Sequence, residues 1–277
     1  MQPRNLVNRA AILVLMLLVS GTTNAQDLAE PDAEIESCLS TGKILKGGEE
    51  LVGITRPVRV EVECNGTKRA AVFKSLDEHK WGHTKLDSGE TEFNFSDSFL
   101  YERAAYVLDR QLGLDMVPVA VLQKRKGSDG VLVAWIPDTV HENKVTTSFS
   151  GPQMASQFRQ KSRMHLFDSL IYNTDRRAEN ILVQESTGKI YLIDHSRAFR
   201  EKEELREGFD EGRVWLSRQM YDNLVGLNAE NLAELKDGLI SKAQLKALLA
   251  RRDLIVAKID KDRQEYGDES VFLSDDD

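Results

Sequence analysis

Hydrophobic residues first fall into a period-two pattern at Val58, Val60 and Val62, with Arg59, Glu61 and Glu63 between them, which predicts a half-buried strand. Asn65-Gly66 is a hairpin turn signal, and Ala70-Ala71-Val72-Phe73-Lys74 reads as the returning strand. The polar stretch 77–95 reads as a loop. The period then changes: Tyr101, Ala104, Ala105, Leu108 and Leu112 make one stripe of a helix from about Ser98 to Leu112, with Gly113 placed to stop it. Val117 to Leu122 and Val131 to Ile136 read as two strands joined by the turn Lys126 to Gly130, and Pro137 ends the second.

From about Pro152 the pattern is helical, with Phe158, Met164, Phe167, Leu170 and Ile171 on the apolar side. Two short apolar strands, Ile181-Leu182-Val183 and Ile190-Tyr191-Leu192-Ile193, interrupt it. The remainder reads as helical, and Ser241 with Gln244 forms a capping box ahead of Leu245, Leu248, Leu249, Ile255 and Ile259. A β-rich half with one helix, followed by a helical half with one hairpin, is an α+β, two-lobed plan. The division is a leader over 26–50, an N-lobe over 51–137, and a C-lobe over 138–277 ending in an acidic tail, 274–277.

The first residues read differently. Arg4 and Arg9 precede the apolar run Ala10 to Val19, and small residues lead to Ala25, which describes a signal peptide over 1–25 and an exported protein. The apolar run is short of the roughly 20 residues a membrane-spanning helix needs. Cys38 and Cys64 are the only cysteines of the 277 residues. One disulfide and two separate buried thiols are both open readings. The formal net charge of −8 becomes −10 once Arg4 and Arg9 are removed, which argues against nucleic acid as the main partner.

The densest polar cluster brackets the second hairpin. Asp175-Arg176-Arg177-Ala178-Glu179-Asn180 runs into Ile181, and Asp194 follows Ile193. If the two strands pair, Asn180 and Asp194 lie side by side at its open end and offer hard oxygen ligands to Mg²⁺. Phosphoryl transfer needs metal ligands, a carboxylate that positions the acceptor hydroxyl, and a lysine on the nucleotide phosphates. Asp175 lies within reach for the second role. Lys74 is the candidate for the third, with Glu102 holding it by a charge-assisted bond.

The order Val72-Phe73-Lys74, Glu102, Asp175-Arg176-x-x-x-Asn180 and Ile193-Asp194 resembles the atypical kinase superfamily, across roughly 50–265. That group includes the phosphatidylinositol 3-/4-kinases, the HipA-type kinases and the secreted Golgi casein kinases with their four-jointed relatives. The stretch from Phe167 to Arg176 looks most like bacterial members near the phosphatidylinositol kinase branch. The resemblance implies a two-lobed protein-kinase-like fold that uses ATP and Mg²⁺ or Mn²⁺. It implies Lys74 on the phosphates with Glu102 as its partner, Asp175 as catalytic aspartate, and Asn180 and Asp194 as metal ligands. It also implies a hinge strand from Val133 to Trp135 and Ile136 beside adenine, and a phosphate loop from Gly53 to Pro57 that includes Thr55 and Arg56. Three positions depart from the pattern: Arg177 stands where His is usual, His195-Ser196 where Phe-Gly is usual, and the first strands carry no Gly-x-Gly-x-x-Gly. The implied activity is transfer of the γ-phosphate to a hydroxyl of a protein, lipid headgroup or sugar. A nucleotide-binding pseudokinase and an AMP transferase are the alternatives on the same fold.

Overall fold

The structure, a computed structural model, describes residues 30–51, 56–85, 89, 91–209 and 212–273. The N-terminal apolar run, Thr55 with most of the expected phosphate loop, and the acidic tail lie outside the described residues.

The N-terminal half runs α1 (Glu30–Thr41), β1 (Lys43–Ile44), β2 (Glu49–Glu50), β3 (Val58–Cys64), β4 (Thr67–Lys74), β5 (Asp77–Lys85), β6 (Thr91–Ser98), α2 (Leu100–Leu112), β7 (Ala120–Arg125) and β8 (Ser128–Ala134). One antiparallel sheet takes the order β1-β3-β4-β8-β7, with β2 also on β3. Its register follows the side-chain pattern: Val60 and Val62 are buried, and β3 pairs with β4 from Val58↔Phe73 to Cys64↔Thr67. The turn between them holds Asn65 and Gly66 at φ 50° and 79°, the left-handed pair a two-residue hairpin demands. The turn between β7 and β8 is shorter than the sequence suggests. Lys126 and Gly127 are both left-handed, at 49° and 85°, so two residues suffice and the strands run on to Arg125 and Ser128. Helix α2 buries the whole expected stripe of Tyr101, Ala104, Ala105, Leu108 and Leu112, each large apolar member contributing about 2 kcal/mol. Gly113 ends it at φ 68°.

Two stretches differ from expectation. The leader contains α1, which among its described side chains buries only Cys38 and Leu39. It is held instead by distant partners: Asp32 on Arg110 (2.6 Å), Glu34 on Arg69 (2.6 Å), Glu36 on Arg103 (2.5 Å), and a Cys38–Cys64 disulfide. None of these is visible in a local apolar period. The stretch 77–95 forms the β5–β6 hairpin, a separate two-stranded ribbon. Both faces of β5 are polar and largely exposed, so no alternation announces it.

The C-terminal half runs β9 (Thr139–His141), α3 (Gly151–Leu170), β10 (Ile181–Gln184), β11 (Lys189–Leu192), β12 (Leu216–Ser217), α4 (Arg218–Gly226), α5 (Lys242–Tyr266) and β13 (Phe272–Leu273). Capping boxes start α3 at Ser150 with Gln153 and α5 at Ser241 with Gln244. The chain between Asp194 and Leu216 is largely irregular, where the sequence pattern suggested helix. Its anchor is Arg251 of α5, fully buried, which donates to the carbonyls of Leu170, Arg200 and Lys202. The halves meet through α2: Gln244 Nε2 donates to the Tyr101 hydroxyl at 2.6 Å. Among the described residues, no helix is long and apolar enough to cross a membrane.

The disulfide closes a loop between residues 26 apart in sequence, and a loop of that size is worth about 3 kcal/mol. Cys64→Ser, or reduction of the native protein, is expected to lower the free energy of guanidinium unfolding by about that amount. Superimposable unfolding curves would show that the bridge does not hold α1 to the sheet.

Candidate functional site

Lys74 is the last residue of β4, where it pairs with Val131 of β8. The neighbouring strand approaches so closely that a Cβ on Gly130 would stand 2.4 Å from the Lys74 carbonyl oxygen, which only glycine permits. The Lys74 side chain is 12% exposed, and its ammonium group lies 2.5 Å from Glu102 Oε1 and 3.0 Å from Asp194 Oδ1. Glu102 sits in the first turn of α2, where the helix dipole favours a carboxylate. Burial by itself would depress the Lys74 pKa, yet Glu102 and Asp194 hold it well above the ordinary lysine range. Burial would likewise raise Glu102, but the Lys74 charge and a bond to His195 hold it well below the usual carboxylate range. Both groups are therefore charged at neutral pH.

The hairpin β10–β11 pairs Ile181 with Leu192, and Ile193 N donates to Asn180 O at 3.1 Å, so Asn180 and Asp194 emerge together at its open end. Asn180 donates its amide to the Asp175 carbonyl at 2.7 Å, which leaves Oδ1 as its acceptor atom. Asp194 adopts φ 62°, a conformation costing on the order of 1 kcal/mol that Asp tolerates better than most residues. That turn places its carboxylate against Lys74. Asp175 is positioned by Asn173, whose Oδ1 accepts from its backbone N–H at 3.1 Å, and its own carboxylate contacts Arg177 Nε at 3.2 Å.

Behind these groups runs a buried chain of polar contacts that sequence reasoning did not assemble. Arg176 donates to Asp168 (3.1 Å), to the carbonyls of Asn180 (2.8 Å) and Ile193 (2.7 Å), and towards His195 Nε2 at 3.0 Å. A guanidinium has no acceptor, so His195 Nε2 must accept and its proton resides on Nδ1. Nδ1 then faces Glu102 Oε2 at 3.3 Å, while the His195 backbone N–H donates to Glu102 Oε1 at 3.2 Å. Burial pushes the imidazole pKa down, in keeping with the neutral ring. The signal for this chain was the substitution of His for Phe after Asp194, which the sequence marked only as a departure.

Trp135 and Ile136 directly follow β8, and Trp135 N donates to Ala70 O of β4 at 3.1 Å. One face of the Trp135 indole carries Arg59, whose guanidinium carbon is 4.3 Å from the ring centre. Arg56 is exposed at φ 46°. Leu51 N donates to Pro57 O at 2.8 Å, next to the pairing of β2 with β3. Thr55 lies outside the described residues. A cleft of about 1140 Å³ opens on the other side of Asp175. The β5–β6 hairpin, the chain from Arg197 to Glu207 and the start of α5 wall it, whereas Lys74, Glu102, Asn180 and Asp194 do not reach it.

A family model described as HipA-like kinase matches residues 140–223, a span that holds Asp175, Asn180 and Asp194. The structure of hydra Fam20 with sugar is similar at a TM-score of 0.57 and 15% identity, covering 90% of this chain and 94% of that one. The crystal structure of the Golgi casein kinase is similar at 0.55 and 14% identity, covering 87% and 77%. No curated protein sequence matches. The two structures share the fold: a curled β sheet in the N-terminal half and helices in the C-terminal half. Family match and fold together support the atypical kinase superfamily of HipA and Fam20 type that the residue order resembles.

The buried pair gives a stability test. Glu102 stabilises the fold above its unfolded pKa of 4.5, and that contribution is lost as the pH falls through its depressed folded value. Glu102→Gln is expected to cost about 3 kcal/mol at pH 7. Its stability should also decline less steeply below about pH 4.5 than that of the native chain. A loss under about 1 kcal/mol with an unchanged acid limb would contradict a buried ionic partner for Lys74.

Proposed function

We propose that the protein is an exported ATP-dependent kinase that transfers the γ-phosphate of ATP to a hydroxyl acceptor. The observation that carries this reading is the Lys74 ammonium held between Glu102 at 2.5 Å and Asp194 at 3.0 Å. Lysine from the sheet, glutamate from the helix and aspartate after the second hairpin are the parts a phosphotransferase must bring together. In this reading Lys74 binds the nucleotide phosphates and Glu102 keeps it in place. The segment containing Thr55 and Arg56 covers the phosphates, and Trp135 and Ile136 border the adenine.

The donor set fits Mg²⁺ or Mn²⁺. Asp194 and Asn180 Oδ1 are hard oxygens, and Mg²⁺ takes one or two protein carboxylates with the rest from phosphate and water. Among the described residues no three His, Cys, Asp or Glu side chains form a ready-made cage, as expected when the nucleotide supplies ligands itself. When bound, the cation would neutralise charge developing on the phosphate oxygens. Asp175 takes the proton of the acceptor hydroxyl. The hydroxyl oxygen forms a bond to the γ-phosphorus as the bond to the β–γ bridging oxygen breaks, and ADP leaves. The cleft beside Asp175 gives the acceptor its approach, and protein, lipid headgroup and sugar hydroxyls are the acceptor classes. Export accords with the Cys38–Cys64 disulfide, since such bonds persist in oxidising compartments.

A pseudokinase is the second reading, favoured by one contact: Arg177 lies 3.2 Å from the carboxylate the reaction needs. Incubation of the oxidised protein with γ-labelled ATP, Mg²⁺ or Mn²⁺, and protein, sugar and phosphoinositide acceptors separates the two. Label transfer is expected, falling at least about 100-fold in Asp175→Ala and in Asp194→Ala. Nucleotide binding without transfer would establish the pseudokinase. Transfer that survives both substitutions would refute the assignment of these residues.

A further inference from the structure

Asp97 belongs to none of the roles assigned above, yet it is the most unusual carboxylate near them. It lies on β6 three residues before α2 and is 93% buried, at 7% relative exposure. Its Oδ1 is buried without a hydrogen-bond partner. A buried unpaired carboxylate oxygen costs free energy in an isolated fold, so its retention calls for a ligand. The neighbours Ser96 and Ser98 line the large cleft and Asp97 does not. Strand alternation therefore turns its side chain the other way, within electrostatic reach of Lys74 and Asp194.

Asp97, Glu102 and Asp194 are three carboxylates sharing the field of Lys74, whose ammonium is already bonded to the latter two. Arg197 and Arg200 also bear on Asp97, but both reach towards Glu92. Ser196 stands between Asp194, 3.4 Å from its hydroxyl, and Asp97, and a hydroxyl has one proton to give to two acceptors. Burial pushes the Asp97 carboxyl above the usual range, and the Asp194 charge adds to it, against the bond from Ser196 and the charges of Arg197 and Lys74.

We propose that Asp97 is a positioning residue for the divalent cation held at Asp194, its free oxygen accepting a hydrogen bond from a water on that cation. The inference rests on the kinase reading of Lys74, Asn180 and Asp194. It adds an outer carboxylate, a kind of contact whose loss typically weakens metal affinity 10- to 100-fold. Direct ligation is not required, in keeping with the lack of a three-residue cage among the described residues.

The test is Mn²⁺ titration followed by electron paramagnetic resonance, with ADP present, on the native protein and Asp97→Asn. ADP binding in EDTA and thermal unfolding of the free protein are measured alongside. The variant should bind Mn²⁺ about 10- to 100-fold more weakly, with ADP affinity in EDTA unchanged. Its free form should be at least as stable as the native one, because an unpaired buried charge has gone. A merely structural role would give the opposite pattern, with lower stability and unchanged Mn²⁺ affinity. That result overturns the proposal and leaves the kinase reading intact. If the native protein itself fails to bind Mn²⁺ with ADP, the kinase reading falls and this inference with it. Should Asp97→Asn not fold, Asp97→Ser takes its place with the same expectations. Failure of both to fold would make Asp97 a structural strut and refute the idea.

Discussion

The ion pair of Lys74 with Glu102, together with Asp194, ties three distant parts of the chain at one buried point. Lys74 ends a strand, Glu102 opens a helix, and their shared contact with Asp194 reaches into the opposite lobe. Taking two charges out of water is expensive, and such a pair is stable only with close geometry and further partners. Both conditions are met at Glu102, since one oxygen takes Lys74 and the His195 backbone while the other faces the His195 ring. The surrounding architecture can be understood as what keeps that carboxylate dry and fully paired.

His195 is what extends the pair into the C-terminal half. Its neutral ring connects Glu102 to Arg176, and Arg176 in turn secures Asp168 and both carbonyls at the mouth of the β10–β11 hairpin. The positions of Asn180 and Asp194 thus depend on the same buried chain that fixes Lys74. A phenylalanine at 195 would fill space but make neither bond, so this site couples its lobes by hydrogen bonding where the usual pattern relies on apolar packing. The left-handed backbone at Asp194 is sustained by that chain and directs its carboxylate to Lys74.

Elements with a strong apolar period were legible from sequence: β3 with β4, the stripe of α2, and the capped start of α5 all appear where the pattern places them. So was the juxtaposition of Lys74, Glu102 and Asp194, because required groups occurred in one order on the right elements. Helix α1 and the β5–β6 ribbon were missed, the first because ion pairs to distant arginines hold it, the second because both faces of β5 are polar. Asp97 fell between the loop read over 77–95 and the helix read from about Ser98, so nothing in the pattern hinted at its burial. The pairing of Cys38 with Cys64 was left open because spacing alone does not distinguish a bridge from two thiols.

The most direct test of this account is a crystal structure of the oxidised protein with Mn²⁺ and a non-hydrolysable ATP analogue, the metal located by its anomalous signal. The account predicts a manganese peak between Asn180 Oδ1 and the Asp194 carboxylate, with Lys74 Nζ moved from Asp194 onto a phosphate oxygen and still bonded to Glu102. Nucleotide bound elsewhere, or a metal site that leaves Asp194 paired with Lys74, would contradict it.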